Sequence, residues 1–414
     1  LYEKNTVLLR YIRSSYICKM EISIELLLNL PSLRVTDCVL SDKEAHIYCE
    51  SIIDSGNCPS CGKATSEVTM YSRRTVRDMA LLGRKVSLHV QTRQFHCSDC
   101  SRYFSERFDF VEPSKTMTTR YEQYIYFSTL DICISQVSIK EDICWPTVYE
   151  IHRRYSKKQV QSRDVWSSVR YLGIDEISIR KGTKNYACCL VDLERGIVLD
   201  FLPSRLKGDL VSYFEQKGAA FCAQIEVVSS DMWDGYTTLA DAVFPNAITV
   251  IDRYHFFVHF NKALHTSRSQ LRKEFPDEEV FKHLRWALLK NPENLSLEEQ
   301  LLLQKAFAIS EELSQMYQLR KDLKQIFDTD QSIAEARVVL DQWEEKASKM
   351  ANKPMQKFLT ILANWKDKIV NFFQDRLSNG VVEGLNNAIR GIIRRSFGFH
   401  NFDNLRLRVL SELG

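Results

Sequence analysis

Hydrophobic spacing changes character along this chain of 414 residues. Leu33-Arg-Val-Thr-Asp-Cys-Val-Leu40 and Ala45-His-Ile-Tyr-Cys-Glu-Ser-Ile52 are short runs that predict two strands within 33–52. Lys85–Phe95 alternates apolar and polar positions and predicts another. Residues 117–160 then switch to helical spacing. Thr118-Thr-Arg-Tyr-Glu opens one helix, and Ile134–Cys144 and Trp145–Tyr155 predict a closely spaced pair. Pro146 suits a first helical turn, where a missing N–H costs nothing. A short helix, a break and a second helix carrying Thr, Tyr, His and Arg is the outline of a helix-turn-helix.

From residue 170 the period returns to two. Tyr171–Ile179, Tyr186–Leu193 and Gly196–Leu202 predict strands, joined by tight polar connections at 180–185 and 194–196 that suit antiparallel hairpins. Asp209–Cys222 predicts a helix, Ile225–Ser230 a buried strand, Tyr236–Val243 a helix and Ala247–Ile251 a strand. This βββ-α-β-α-β order is that of a ribonuclease-H-like core. No glycine follows Gly235 until Gly380, and Leu, Glu, Lys, Gln and Ala dominate between them. Leu297–Tyr317 and Ser332–Met350 carry helical spacing, so 260–375 predicts an all-helical block ahead of a last helix. The expected fold is α+β and multidomain: a zinc-ribbon-like N-terminal module, a helix-turn-helix, and a ribonuclease-H-like mixed sheet with an all-helical insertion. The expected boundaries are 20–112 for the zinc-binding domain, 113–165 for the helix-turn-helix, 166–259 for the first part of the core, 260–375 for the insertion and 376–414 for the final helix.

Composition changes this picture little. Hydrophobic residues at 44% and charged residues at 26% are ordinary for a water-soluble domain. A net charge of +3 does not announce a nucleic-acid binder, so any basic surface is local. No apolar run is long enough to span a bilayer. The start, Leu1-Tyr-Glu-Lys-Asn5, lacks the layout of a signal peptide, and Met20 opens a more ordinary segment. Residues 1–19 are expected to be a leader that is not native to the protein. The 12 cysteines are unevenly spread along a long chain, which points away from a secreted disulfide scaffold and towards the reducing cytosol. Cys188 and Cys189 adjoin in a predicted strand and should face opposite sides of it.

Two Cys-x-x-Cys pairs, Cys58/Cys61 and Cys97/Cys100, supply four thiolates, enough to close a tetrahedral structural Zn²⁺ site. His96 is an adjacent alternative ligand. Arg73, Arg74, Arg77, Arg84, Lys85 and Arg93 lie between the pairs, either as a face for DNA or as a solvated charged face. Asp175 and Asp231 end predicted neighbouring strands, and Glu383 lies near the start of the last helix. Hard carboxylate oxygens in those places suit two Mg²⁺ ions (or Mn²⁺) for phosphoryl transfer. Glu176 should face away from Asp175, and Asp234 is a weaker substitute for Asp231. Asp252 and His255, at the end of the last predicted strand, are candidates to support the site, or else a helix cap and a half-buried histidine. On the last helix Glu383, Asn387 and Arg390 follow helical spacing, as do Asn386, Arg390 and Arg394. With Arg395, Arg406 and Arg408 they predict a basic surface along a phosphate backbone. Phe397, Phe399 and Phe402 are expected to pack the core.

Gly173-Ile-Asp175-Glu176, Ser230-Asp231-Met232-Trp233, Ile251-Asp252-Arg253-Tyr254-His255-Phe256 and Ser378-Asn-Gly-Val-Val-Glu383-Gly-Leu-Asn-Asn387 resemble the motifs of bacterial insertion-sequence transposases of the DDE class. The resemblance is to the ISL-three-type group, which has an N-terminal zinc-binding domain, a helix-turn-helix and an interrupted core. It runs from about residue 20 to the end and includes Phe397-Gly-Phe-His-Asn-Phe402 and Arg406-Leu-Arg408. It implies that Asp175, Asp231 and Glu383 are a catalytic triad and that the helical block is the family's insertion domain. It also implies metal-dependent cleavage and strand transfer at terminal inverted repeats. Arg153, Arg154, Asn387, Arg390, Arg394 and Arg395 are then expected to contact DNA, with at least a homodimer on it, in the bacterial cytoplasm at the nucleoid. Two other readings share these features. One is a catalytically inactive, transposase-derived DNA-binding regulator. The other is a ribonuclease H or junction nuclease of the same fold.

Overall fold

The computed structural model describes residues 24–179, 186–377 and 380–414, preceded by a strand pair, β1 (Val7–Leu9) with β2 (Met20–Ile22). The hairpin connection expected at 180–185, and residues 1–6 and 10–19 of the expected leader, lie outside the described residues. Contacts divide the chain into residues 1–155 and 156–414.

In the first unit α1 (Ile24–Leu28) precedes the two strands expected from 33–52, β3 (Leu33–Leu40) and β4 (Glu44–Ser51). A two-strand ribbon follows, β5 (Gly56–Asn57) with β6 (Ala64–Thr65). The strand expected at 85–95 is longer, β8 (Arg84–Cys97), and pairs with β7 (Val68–Leu81), whose polar residues hid it from the pattern. Leu82 and Gly83 join them, both at positive φ (51° and 80°), as a two-residue hairpin turn requires. β9 (Arg102–Ser105) pairs with the end of β8. The order is β3-β4-β8-β7, and Ile47, Val76, Val86, Leu88 and Val90 form the buried face.

Three helices close this unit: α2 (Thr119–Asp131), α3 (Ile134–Glu141) and α4 (Trp145–Gln161). The Thr118 hydroxyl caps α2 by accepting from the Tyr121 N–H. The helix expected to reach Cys144 stops at Glu141, because Asp142 turns left-handed (φ 52°). Tyr121, Ile125, Val137, Val148 and Ile151 pack between the helices.

The second unit is built on a mixed five-stranded sheet. Its strands are β10 (Tyr171–Ser178), β11 (Tyr186–Asp192), β12 (Ile197–Leu202), β13 (Val227–Ser230) and β14 (Ile248–Ile251), in the order β12-β11-β10-β13-β14. β10, β11 and β12 pair antiparallel, while β13 and β14 run parallel to β10. The single helix expected at 209–222 is two, α5 (Lys207–Lys217) and α6 (Ala219–Gln224), broken at Gly218 with φ 92°. α7 (Asp234–Val243) lies between β13 and β14. After β14 come α8 (Arg253–Glu274), α9 (Val280–His283), α10 (Leu297–Ile309), α11 (Glu311–Asp328), α12 (Ile333–Ser348), α13 (Lys353–Val370) and α14 (Phe372–Asp375). α15 (Gly380–Arg395) and α16 (Phe402–Leu413) end the chain.

Helices cover both faces of the sheet. Leu172, Ile174 and Cys188 pack with Phe214, Tyr236 and Leu239 from α5 and α7. Ile177, Cys189 and Val191 pack with Val382, Ile389 and Ile392 of α15 and Leu405 and Val409 of α16. Cys188 and Cys189 thus face opposite sides, as strand alternation requires. The helical block has its own aromatic core of Phe256, Phe260, Phe327, Trp343 and Phe358, continuous with Val250 and Ile251 of β14. Capping boxes start α10 (Ser296 with Glu299) and α12 (Ser332 with Glu335).

Candidate active site and metal centre

The zinc ligands meet. Cys58, Cys61, Cys97 and Cys100 hold all four Sγ atoms within 4.8 Å of one another, the only such group of three or more His, Cys, Asp or Glu among the described residues. A tetrahedral site with Zn–S of about 2.3 Å sets S···S near 3.8 Å. Cys61 Sγ and Cys97 Sγ lie 3.7 Å apart, so the cluster fits structural Zn²⁺. Backbone N–H groups of Ser60 and Cys61 pull the Cys58 thiol down to about 6, and hydrogen bonding from Cys61 with burial pushes Cys100 up to about 12. His96 stands outside the cluster, with Nδ1 3.1 Å from Glu67.

The basic residues between the knuckles are mostly tied down. Arg74 donates to the Glu112 and Lys115 carbonyls, Arg77 to those of Glu141 and Asp142, and Arg84 to that of Ser41. Lys85 pairs with Asp142, and Arg93 with the buried Glu106. Arg73 is exposed, its guanidinium over the Tyr48 ring. Most of these residues, expected as a face for DNA or a solvated charged face, are instead tied to neighbouring groups of the protein. On α4, Arg153 is exposed, whereas Arg154 pairs with Glu112 and Glu122.

The carboxylates of the second unit gather at one sheet edge. Ile174 and Ser230 are partners in the parallel pairing of β10 and β13, so the next residues, Asp175 and Asp231, are neighbours; Asp231 follows the end of β13, whereas Asp175 is not at a strand end as expected but within β10, opposite Cys189. Asp252 follows β14, buried, and its N–H donates to the Ser230 carbonyl at 3.1 Å. His255 Nε2 lies 4.0 Å from Asp252 Oδ2. Burial raises the pKa of Asp175 and, together with the charge of Asp175, raises Asp231 to about 6, while His255 opposes both shifts. Asp231 Oδ1 is buried without a hydrogen-bond partner among the described residues. Two adjacent half-buried acids, one with a buried, unpartnered oxygen, fit a hard divalent cation.

α15 reaches this edge because residue 173 is glycine. A Cβ there would come within 2.8 Å of both Val382 and Leu193. That approach lets Asn386 Nδ2 donate to Asp175 Oδ2 at 2.7 Å, leaving Asn386 Oδ1 buried and unpartnered among the described residues. The sequence placed Asn386 only on a helix face expected along a phosphate backbone, although its spacing from Glu383 puts it one turn along. Glu383 sits beside Val382 on the same turn, is exposed, and does not join Asp175 and Asp231 at metal-ligand spacing. Glu176 pairs with Arg205, whose guanidinium covers the Tyr186 and Trp233 rings. Only an ion-paired, ring-stacked arginine could show this use of Arg205, and no local pattern marks it.

Along α15, Asn387, Arg390 and Arg394 are exposed on the stripe that Glu383 begins. Arg395 pairs with Glu412. The surface role expected of Arg408 is corrected, and Arg406, half-exposed, is held by an ion pair. Arg406 donates twice to the buried Asp200 (2.7 and 2.8 Å), and Arg408, 2% exposed, pairs with Glu412. The reason is that α16 lies on β12, where a buried carboxylate needs a cation. Phe402 stacks on Phe201 and Phe399 packs on the same core, as expected. Phe397 does not: it is 82% exposed and left-handed (φ 57°).

Among the described residues no helix is long and apolar enough to cross a membrane. Residues 172–409 match a family model described as transposase, DDE type, and residues 54–100 match the zinc-finger of transposase IS204/IS1001/IS1096/IS1165. The transposase for insertion sequence element IS1001 of Bordetella parapertussis is 27% identical over 357 residues, 85% of this chain and 87% of that protein. The transposase for insertion sequence element IS1557 of Mycobacterium tuberculosis is 26% identical over 284 residues, 63% of each chain.

Proposed function

Because this chain belongs to the DDE transposase family whose model spans its sheet and helical block, we propose that it cuts and rejoins DNA at the ends of an insertion sequence. Asp175 and Asp231 are the metal-holding carboxylates, and Glu383 completes the triad. The observation that carries this reading is the parallel pairing of β10 and β13, which sets Asp175 on β10 beside Asp231 at the end of β13, with Asp231 Oδ1 buried and unpartnered among the described residues.

In this reading the sheet is a ribonuclease-H-like core, interrupted by the helices after β14, and α3 with α4 is a helix-turn-helix. The zinc ribbon and that helix pair bind terminal inverted repeats, with Arg153 toward DNA. Bound Mg²⁺ (or Mn²⁺) would activate water and neutralise charge on the phosphate. Asp175 and Asp231 hold their oxygens on the sheet edge, and Asn386 fixes the direction of Asp175 through its 2.7 Å bond. His255 and Asp252 bound the edge on the β14 side. Asn387, Arg390 and Arg394 follow Glu383 along one helix face and suit a DNA backbone. In the first step water oxygen bonds to phosphorus, the P–O3′ bond breaks and a 3′-hydroxyl is released. In the second, that hydroxyl attacks a target phosphodiester and displaces its 3′ oxygen. Joining two ends calls for at least two copies of the chain.

The test is a Mg²⁺-dependent cleavage assay on DNA carrying the sequence that flanks the gene, with Asp231→Asn as control. Nicks at a repeat boundary made by the wild type and absent with Asp231→Asn are expected. Binding with no cleavage by either protein would leave a DNA-binding regulator in its place.

A further inference from the structure

Several lysines of the helical block are neutralised. Lys290 pairs with Glu299, Lys324 with Asp328, Lys346 with Asp322, and Lys366 with Asp341 and Glu344. Three others are not. Lys262 of α8 and Lys353 and Lys357 of α13 are exposed, form no ion pair among the described residues, and line one groove of about 340 Å³. Its floor is apolar, with Pro354 and Phe358 buried beneath the ammonium groups. Like charges gathered without counter-charges repel one another, so a fold that keeps them together leaves a place for an anion.

The groove is joined to the candidate active site by one helix face. His255, His259, Lys262 and Thr266 stand at positions i, i+4, i+7 and i+11 of α8. His259 and Thr266 also line the groove. Burial, then the charges of Lys262 and His255, lower the pKa of His259. At 1.5 Å per residue the groove begins about 6 Å beyond His255 and runs for about 16 Å to Gln270, close to five base-pair steps of B-DNA. α15 packs on β10, and α8 starts at the end of β14, with Asp231 on the strand between them. The helices that carry the two basic faces thus adjoin the strands on either side of β13, the strand that leads to Asp231.

We propose that the groove between α8 and α13 binds the sugar-phosphate backbone of duplex DNA flanking the cut, on the side away from the DNA that follows α15. This rests on the DNA-cleaving reading above. A phosphate backbone is anionic, regular and rich in acceptors, which three flexible ammonium groups over an apolar floor can follow without base contacts.

The experiment measures DNA affinity against salt for the full chain, on two duplexes: one ending at the repeat boundary, one extended by ten or so base pairs of flank. The variant is Lys262→Gln/Lys353→Gln/Lys357→Gln, with Lys346→Gln as a control for a lysine outside the groove. All four are surface lysines, and unchanged melting temperatures check the fold. On the flanked duplex the slope of log K against log salt should fall by about 2.7, since each phosphate contact contributes about 0.9. It should be unchanged on the unflanked duplex and in the Lys346→Gln control. An unchanged slope on flanked DNA overturns the site. An equal fall on both duplexes overturns the flank as its occupant. Wild-type cleavage in Mg²⁺ with an unchanged variant slope would sink this site alone, whereas no wild-type binding to either duplex would sink the functional reading with it.

Discussion

The four thiols around Cys58 fit a zinc ion and the acids around Asp231 are proposed as a second ligand set, yet the fold brings only the first together completely. The thiols converge within 4.8 Å of one another, whereas Asp175 and Asp231 are adjacent and Glu383 remains exposed on its helix. Thiols can pack as neutral groups before a metal arrives. Two carboxylates 4 Å apart repel by about 4 kcal/mol at an effective dielectric of 20, so acids close on each other only around a cation. The difference separates a site made for holding a metal from one suited to exchanging ligands.

The largest expected effect falls on the closed site. Cys58→Ser/Cys97→Ser should lose its zinc and unfold the ribbon, since structural Zn²⁺ supplies about 10–16 kcal/mol of apparent binding energy. Zinc content and protease resistance check it, and one retained zinc per chain would break the comparison. At the open site, Asp231→Asn should reduce cleavage by about 10³-fold, corresponding to several kcal/mol of charge stabilisation, with the fold intact by circular dichroism. Gly173→Val is next. Its side chain would push on Val382 and Leu193, costing about 1–3 kcal/mol, and would move Asn386 from Asp175. Lower melting temperature together with lower cleavage is expected, and unchanged values for both would show that α15 needs no close approach.

A pH series sharpens the contrast. The Asp231 carboxyl has its pKa raised from 3.8 to about 6, so between those values the folded protein binds more protons than the unfolded chain. Stability of the metal-free protein should therefore fall as pH rises from about 4 to 6. Mg²⁺ should raise the melting temperature at pH 7.5 and have little effect at pH 5, where protons compete for the same oxygens. Asp231→Asn should flatten both trends, and a Mg²⁺ shift equal at both pH values would exclude these acids as its ligands. The smallest effect is at Phe397, where φ 57° strains any residue with a Cβ. Phe397→Gly should stabilise by about 1 kcal/mol, measured by denaturant unfolding.

Spacing alone placed the strands that carry Asp175, Asp231 and Asp252, because each is a short apolar run closed by a polar residue. It also paired the cysteines, whose two-residue gaps make a knuckle locally. It missed β7, where Tyr71, Arg73 and Thr75 face solvent and blur the alternation. It placed Phe397 in the core, because an aromatic residue near the chain end carries no local sign of which way its turn will face. It set Arg408 on the surface, since arginine is usually exposed and the acid that holds it, Glu412, is unremarkable in sequence.

The sequence by itself determined the order of the elements and the ligand chemistry, for these depend on periodicity and residue type over a few neighbours. Only the tertiary structure decided which charges remain free. Arg74, Arg77, Arg93 and Arg406 are consumed by carbonyls and carboxylates that the fold brings to them, while Lys262, Lys353 and Lys357 are left unpaired together. A charge is neutralised by what lies within a few ångströms in space, and chain order does not contain that distance.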